Sequence, residues 1–374
     1  MFLQERDVCP FLSKKFLIFV TVRKLVAIYC LMCSCKLFGQ TIGGTSVYNF
    51  LKLSNTPQLT GLGGVNVSQT SNDVGMAFYN PALLRPIMHT QMNAVFNNFY
   101  AGISAYHLSL GYHHQKLHTN FLWGLHYLSY GSIQQTDASG NVYGNLHPTD
   151  WVMQISASRK YLDKWSYGAT LKFINSNYGQ YVSNGIAADV AVMYFDSSRL
   201  FSASVVAKNM GSQLKKYDGS TAEDLPFDLI AGLSFRLKNA PFSFSVTAYH
   251  LHQFDIRYND TTFSNDDVFG SAKSNSSGFD KIFRHFVIAS QIYLSDKIEV
   301  SLGYNYLRRK ELNVGKDGNG LNGFSVSVGA LFKKIQIRFA RSYYQKGTAC
   351  NQLGLNLPLN QYFGLGKFGE RIGW

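Results

Sequence analysis

Along most of this chain apolar and polar side chains alternate one for one, which in an extended strand places them on opposite faces. Between Lys297 and Tyr306, one face carries Ile298, Val300, Leu302, Tyr304 and Tyr306, and the other carries Glu299, Ser301, Gly303 and Asn305. Phe324, Val326, Val328 and Ala330 alternate with Ser325, Ser327 and Gly329; Leu353, Leu355, Leu357 and Leu359 alternate with Gly354, Asn356, Pro358 and Asn360. The pattern predicts fourteen strands, near 89–99, 102–113, 119–130, 150–160, 165–175, 182–195, 200–209, 227–237, 242–253, 282–294, 297–308, 321–332, 334–345 and 349–359. In the strand begun by Phe242, Phe244, Val246 and Ala248, the phase slips at Tyr249 and Leu251.

The connections alternate as well. Short turns fall at Leu162-Asp163-Lys164, Asp196 to Arg199, Lys238 to Pro241, Ser295-Asp296 and Phe332-Lys333. Long polar stretches lie between them, at Gly131 to Thr149, Ser176 to Tyr181, Met210 to Pro226, Asp255 to Lys281 and Arg309 to Gly320. Outer-membrane barrels have short periplasmic turns and longer outer loops, so the alternation predicts a transmembrane antiparallel β-barrel over 89–363 with both ends in the periplasm. A secreted β-sandwich also alternates, but its solvent face carries more Lys, Glu and Asp than these strands do.

The residues before the first strand differ in character. Val47 to Leu53 predicts a short helix, Thr60 to Gly64 a turn, Val65 to Ser68 a short strand, and Asp73 to Leu84 a second helical or looped piece. A segment of this kind, 41–88, has the size of a small plug folded into the barrel.

Composition sharpens the membrane reading. Aromatic residues make up 15% of the chain, with 28 Phe and 23 Tyr, and Gly contributes 33 residues. Charged residues stop at 15%, against roughly 25% in soluble domains. Phe99, Tyr100, Tyr112, Tyr127, Tyr130, Tyr161, Trp165, Tyr343 and Tyr344 gather near strand ends, where interfacial girdles sit.

Residues 1–40 read as an export leader. Arg23 and Lys24 precede the apolar run Leu25 to Cys33, and Leu37-Phe38-Gly39-Gln40 offers a small residue for cleavage. An earlier apolar run, Phe16 to Val22 behind Lys14 and Lys15, points to a translation start nearer Val22. A lipoprotein signal ending at Cys33 or Cys35 is the alternative, without a convincing small-residue lipobox. Cys9, Cys30, Cys33 and Cys35 fall in the leader, so the mature chain keeps only Cys350 and forms no internal disulfide. After Gln40 no apolar run approaches the roughly 18 residues of a membrane helix, so spanning falls to strands.

The net charge of +13 includes six basic and two acidic residues before Thr41, leaving 29 against 20, a balance of +9. The Lys and Arg are scattered over turns and loops, without the basic stripe a nucleic-acid binder needs. Attraction to anionic outer-leaflet glycolipid or an acidic partner fits better.

Motifs with a chemical look resolve into loops. Gly364-Leu365-Gly366-Lys367-Phe368-Gly369 matches G-x-G-x-x-G, but only five residues follow it, so 364–374 reads as a tail. Gly315 to Gly320 lacks the spaced carboxylates of a calcium loop. His113, His114, His118 and His126 span a turn and a strand without a matching carboxylate, which favours turn and interface roles over a metal site. No nucleophile elbow, P-loop or H-E-x-x-H occurs, although a Ser, His and Asp from separate strands remain a conceivable hydrolase. No catalytic residue, cofactor or metal site is expected.

The segment Gly43-Gly44-Thr45-Ser46-Val47-Tyr48-Asn49-Phe50-Leu51, followed by Leu62-Gly63-Gly64, Asp73 and Phe78-Tyr79-Asn80-Pro81-Ala82, resembles the PorQ family of the Bacteroidetes type IX secretion system. These proteins are relatives of PorV and FadL-type barrels. The Asn-Pro-Ala element is common to the wider group, and the Gly-Gly and Tyr-x-Phe-Leu pattern is narrower. The resemblance spans about Thr41 to Trp374 and implies a FadL-like barrel of about fourteen strands. It also implies an outer-membrane anchor for a PorZ-like surface protein, in an attachment complex with PorU- and PorV-type proteins that joins cargo to lipopolysaccharide. Gly43, Gly44, Gly63, Gly64, Asp73, Asn80 and Pro81 are then structural residues of the plug. A FadL-like transporter of hydrophobic compounds is the rival, separated from the anchor by the chemistry of the lumen.

Overall fold

A computed structural model describes residues 46–137, 139–256, 278–312, 320–332, 335–345 and 348–360. The leader, Gly43, Gly44, the Gly315 run up to Asn319 and the 364–374 tail lie outside them, as does most of the Asp255 to Lys281 stretch.

Fourteen antiparallel strands close into a barrel. They are β1 (Gln91–Asn98), β2 (Ser104–His114), β3 (Thr119–Ser129), β6 (Thr149–Tyr161), β7 (Trp165–Tyr178), β8 (Tyr181–Asp196) and β9 (Phe201–Lys215) in the first half. The second half comprises β10 (Asp228–Arg236), β11 (Phe242–Ala248), β12 (Phe286–Ser295), β13 (Ile298–Asn305), β14 (Phe324–Phe332), β15 (Ile335–Gln345) and β16 (Thr348–Pro358). Each pairs with its neighbour in sequence around the ring, and β1 meets β16 from Gln91↔Pro358 to Asn98↔Asn351. Closure leaves no open edge, so the strand backbones satisfy one another without water.

The alternation read from sequence is the wall itself. Leu302, Val328, Phe339 and Leu353 point out and are exposed, while Ser301, Ser327, Ala340 and Gln352 point in and are buried. An outside of Leu, Val, Ile and Phe with an inside of Ser, Asn, Gln and Thr inverts the arrangement of a water-soluble protein, and hydrocarbon is the surrounding that satisfies it. Trp165 packs on Tyr194, which lies 6.4 Å from Phe201, so aromatic rings from neighbouring strands cluster at one rim. Leu302 lies mid-strand and is 50% exposed. Leu302→Arg is therefore expected to destabilise the barrel by about 2–4 kcal/mol in lipid vesicles; urea titration that shows no loss would place this face in water.

One rim carries short turns; the other carries the longer loops and is here called the loop end. Five connections differ from the sequence pattern. The expected strand 282–294 starts only at Phe286, behind a helix at Gly278–Phe283, and the expected strand 297–308 stops at Asn305, where a helix at Tyr306–Leu312 takes over. The stretch Gly131 to Thr149 contains a hairpin, β4 (Ile133–Thr136) with β5 (Val142–Leu146). Its turn is organised by Asp137, whose carboxylate accepts from Ser139 N, Asn141 N and the Tyr143 hydroxyl. Ser176 to Tyr181 is no long loop: β7 and β8 run on until two residues turn the chain, Gly179 sitting at φ +76°. β9 continues past residue 209 to Lys215 because its register shifts against β8 between Ala188 and Val190. That bulge places the consecutive residues Lys208 and Asn209 both inside. The slip at Tyr249 marks the end of β11, and the chain turns at His250 with φ +55°.

Candidate functional site

The lumen is filled by residues 46–90. The chain enters through a 3₁₀ turn at Asn49–Lys52 and forms α1 (Pro57–Gly61) and α2 (Val74–Tyr79). It leaves through 3₁₀ turns at Pro81–Leu83 and Pro86–Met88. Val65 to Ser68 is not a strand: its polar groups bond to wall side chains and to its own turn instead of to a neighbouring backbone. Leu59, Leu62, Val67, Met76 and Leu83 pack with Ala191, Met193, Val206, Ile230 and Val287 of the wall as one buried cluster.

The motif residues hold this segment in place. Gly63 and Gly64, at φ +92° and +86°, end α1, their N–H groups donating to Thr60 O and Leu59 O at 3.1 and 2.9 Å. This is a left-handed helix stop that residues with a Cβ adopt at a cost. Asp73 caps α2 by accepting from Gly75 N at 2.9 Å, and its other oxygen accepts from Thr56 Oγ1 at 2.6 Å. Arg338 of β15 reaches within 3.7 Å of that oxygen while bonding Glu299 of β13 at 2.8 Å. Asn80 is fully buried; its carbonyl accepts from Ala82 N at 3.0 Å, and its amide donates to Val67 O and to Ser204 Oγ of β9. Pro81 begins the 3₁₀ turn, where its missing N–H is no loss. It lies so close to Gly168 of β7 that a Cβ there would sit 2.7 Å from its carbonyl carbon.

Further bonds run around the ring. Asn66 donates to Ser245, Ser68 pairs with Ser234, Gln69 donates to Gln291 and Thr60 to Gln352. Tyr48 pairs with Ser183 at 2.6 Å. The inward polar face of the wall thus serves as the set of hydrogen-bonding partners for a buried segment that has many polar groups to satisfy.

Charged side chains that the sequence did not single out lie deeper. Lys172 of β7 and Asp189 of β8 form an ion pair at 2.6 Å, with side chains only 5% and 0% exposed. Lys208 places its ammonium 3.0 Å from the centre of the Tyr79 ring. The only advance signal was a charge in the inward phase of a strand.

Two cavities flank the plug. One of about 580 Å³ opens among Gln58, Arg85, Arg236, Asp296, Glu299 and Arg338 near the turns. The other, about 280 Å³, is lined at the loop end by Lys52, Tyr79, Lys208, Tyr249, Arg308 and Glu311 among others. The four histidines of the sequence do not assemble: His113 bonds Asn120, His114 accepts from Leu117 N, His118 sits in a turn, and His126 is buried beside Phe78.

No family model and no curated protein matches the chain. Among solved structures it is similar to the CymD monoaromatic hydrocarbon channel, at 13% identity over 83% of this chain and 97% of that one, TM-score 0.45. It is also similar to a Pseudomonas aeruginosa FadL homologue, at 10% identity over 81% and 96%, TM-score 0.41. The KdgM porin follows at 5% identity over 71% and 98%, TM-score 0.32.

Proposed function

We propose that this chain is an integral outer-membrane barrel of the type IX protein secretion system, plugged from within, whose outer loops anchor proteins of a cell-surface attachment complex. The carrying observation is the filled lumen: residues 46–90 are packed and hydrogen-bonded to the wall, which leaves the loop end as the face available for work. The loop-end hairpin adds exposed apolar side chains to that face, Ile133, Val142 and Tyr143. The role is recognition and scaffolding, with no bond made or broken. The secretion system and the partner classes (PorZ-, PorU- and PorV-type proteins and lipopolysaccharide) are supported by the resemblance in 43–82 alone.

A second reading, transport of a hydrophobic compound as in FadL-type channels, is favoured by the loop-end cavity. Leu51, Val65, Leu307 and Leu312 line it beside its charged groups, a mixture that suits a small amphiphilic solute. One experiment separates the two. Tagged protein is recovered from detergent-solubilised outer membranes, intact and with Asp255 to Lys281 deleted, and whatever co-purifies is identified by mass spectrometry. Anchoring is expected to yield a large soluble surface protein that the deletion loses. A lone barrel carrying bound lipid or fatty acid would replace anchoring with transport.

A further inference from the structure

At the loop end, beside the plug, three potential metal ligands converge from two parts of the chain. Asp228 opens β10; His250 and His252 lie in the turn that follows β11. Among the described residues this is the only group of three or more His, Cys, Asp or Glu side chains whose ligand atoms all lie within 4.8 Å of one another. His250 Nδ1 is 3.4 Å and His252 Nδ1 3.9 Å from Asp228 Oδ1.

The backbone builds this meeting. The N–H of Leu251 donates to Leu229 O at 3.1 Å, folding the turn back against the start of β10. The His250 N–H donates to Asp228 Oδ1 at 2.7 Å and so holds His250 in its left-handed conformation. A non-glycine residue at positive φ is maintained where its surroundings insist on it, and such positions cluster at ligand sites. His252 packs edge-on against Phe227, and its Nδ1 is buried without a hydrogen-bond partner. That orphaned nitrogen beside a carboxylate is the observation that points to a ligand.

We propose that Asp228, His250 and His252 bind a divalent transition-metal ion of the zinc class through Asp228 Oδ1 and the two Nδ1 atoms. Tetrahedral zinc with bonds of about 2.0–2.1 Å sets its ligands about 3.3 Å apart. The two distances to Asp228 Oδ1, 3.4 and 3.9 Å, approach that spacing, and the remaining pair of ligand atoms lies within 4.8 Å. Two imidazoles and one carboxylate suit zinc, nickel or copper; calcium needs six to eight oxygens and is excluded by the ligand set. Asp228 and His250 also line the loop-end cavity, so the fourth position falls to water or to a group entering from that side. Lys52 lines the same cavity. The ion would tie the end of the β9–β10 loop to the start of the β11–β12 loop, stiffening the rim.

The test uses the full chain in detergent, stripped with a chelator and titrated calorimetrically with zinc and, separately, calcium. Wild type is expected to take up one zinc per chain and no calcium. His252→Ala and Asp228→Asn, on different elements so that a folding failure in one leaves the other to decide, are expected to bind about 100-fold more weakly, while His113→Ala binds as wild type. Folding of each is checked by heat-modifiable migration on gels. Absence of saturable zinc binding by wild type, a preference for calcium, or undiminished binding by a folded His252→Ala or Asp228→Asn variant would overturn the proposal.

Discussion

Lys172→Met is expected to lower the stability of the folded barrel by about 3–5 kcal/mol, because it strands a buried carboxylate. Lys172 Nζ sits 2.6 Å from Asp189 Oδ2 and donates to Asn209 Oδ1 at 2.8 Å. Asp189 Oδ2 makes no aligned hydrogen bond, so the Lys172 ammonium serves it as a charge partner. Without the lysine, Asp189 keeps only the Asn209 N–H on its other oxygen, at 2.7 Å. Both charges were costly to bring out of water, and only their pairing offsets that cost. Removing both, as Lys172→Met with Asp189→Leu, is therefore expected to recover most of the loss. Urea unfolding in lipid vesicles measures the cycle. A single variant within about 1 kcal/mol of wild type would mean that another cation, Lys208 first, takes over the pairing.

Asn80→Ala is the second large effect, at about 3 kcal/mol, three hydrogen bonds of roughly 1 kcal/mol each being lost from a site with no water to replace them. The side chain caps the turn at Ala82 N, binds the plug to itself at Val67 O, and binds it to the wall at Ser204. The loss falls on the plug, so amides of 74–83 are expected to exchange with deuterium faster while those of β13 and β14 hold their protection. Uniform acceleration around the ring would show that plug and wall unfold as one unit.

Much of this fold is legible because a barrel wall obeys a period of two and nothing else. Ile298 to Asn305 declare their faces without any knowledge of their neighbours, and all fourteen wall strands follow from the same alternation. The β4–β5 hairpin escaped because Ile133-Gln134-Gln135-Thr136 has no buried face to alternate for; Asp137 and backbone pairing hold it. The full length of β9 escaped because a bulge breaks the period at Lys208 and Asn209. In the lumen, Asp73, Asn80 and Pro81 stand out as a compact motif, and their bonds explain why those residue types are needed there. Lys172 with Asp189, Arg338 with Glu299, and Asp228 with His250 and His252 are isolated residues in sequence. Only strand pairing and loop folding bring them together, so no local pattern announces them.

The seam between β1 and β16 sets an order of events in time. The first wall strand bonds to the last, eight residues against eight, from Gln91↔Pro358 to Asn98↔Asn351. The ring therefore has no complete form until residue 358 is present, and until then β1 exposes a row of unsatisfied amides and carbonyls to any strand that passes. The plug precedes β1, so it emerges before the wall that will enclose it. Closure is a wrapping of late chain around early chain, and a truncation near the C-terminus would release an uncurled, sticky sheet instead of a smaller barrel.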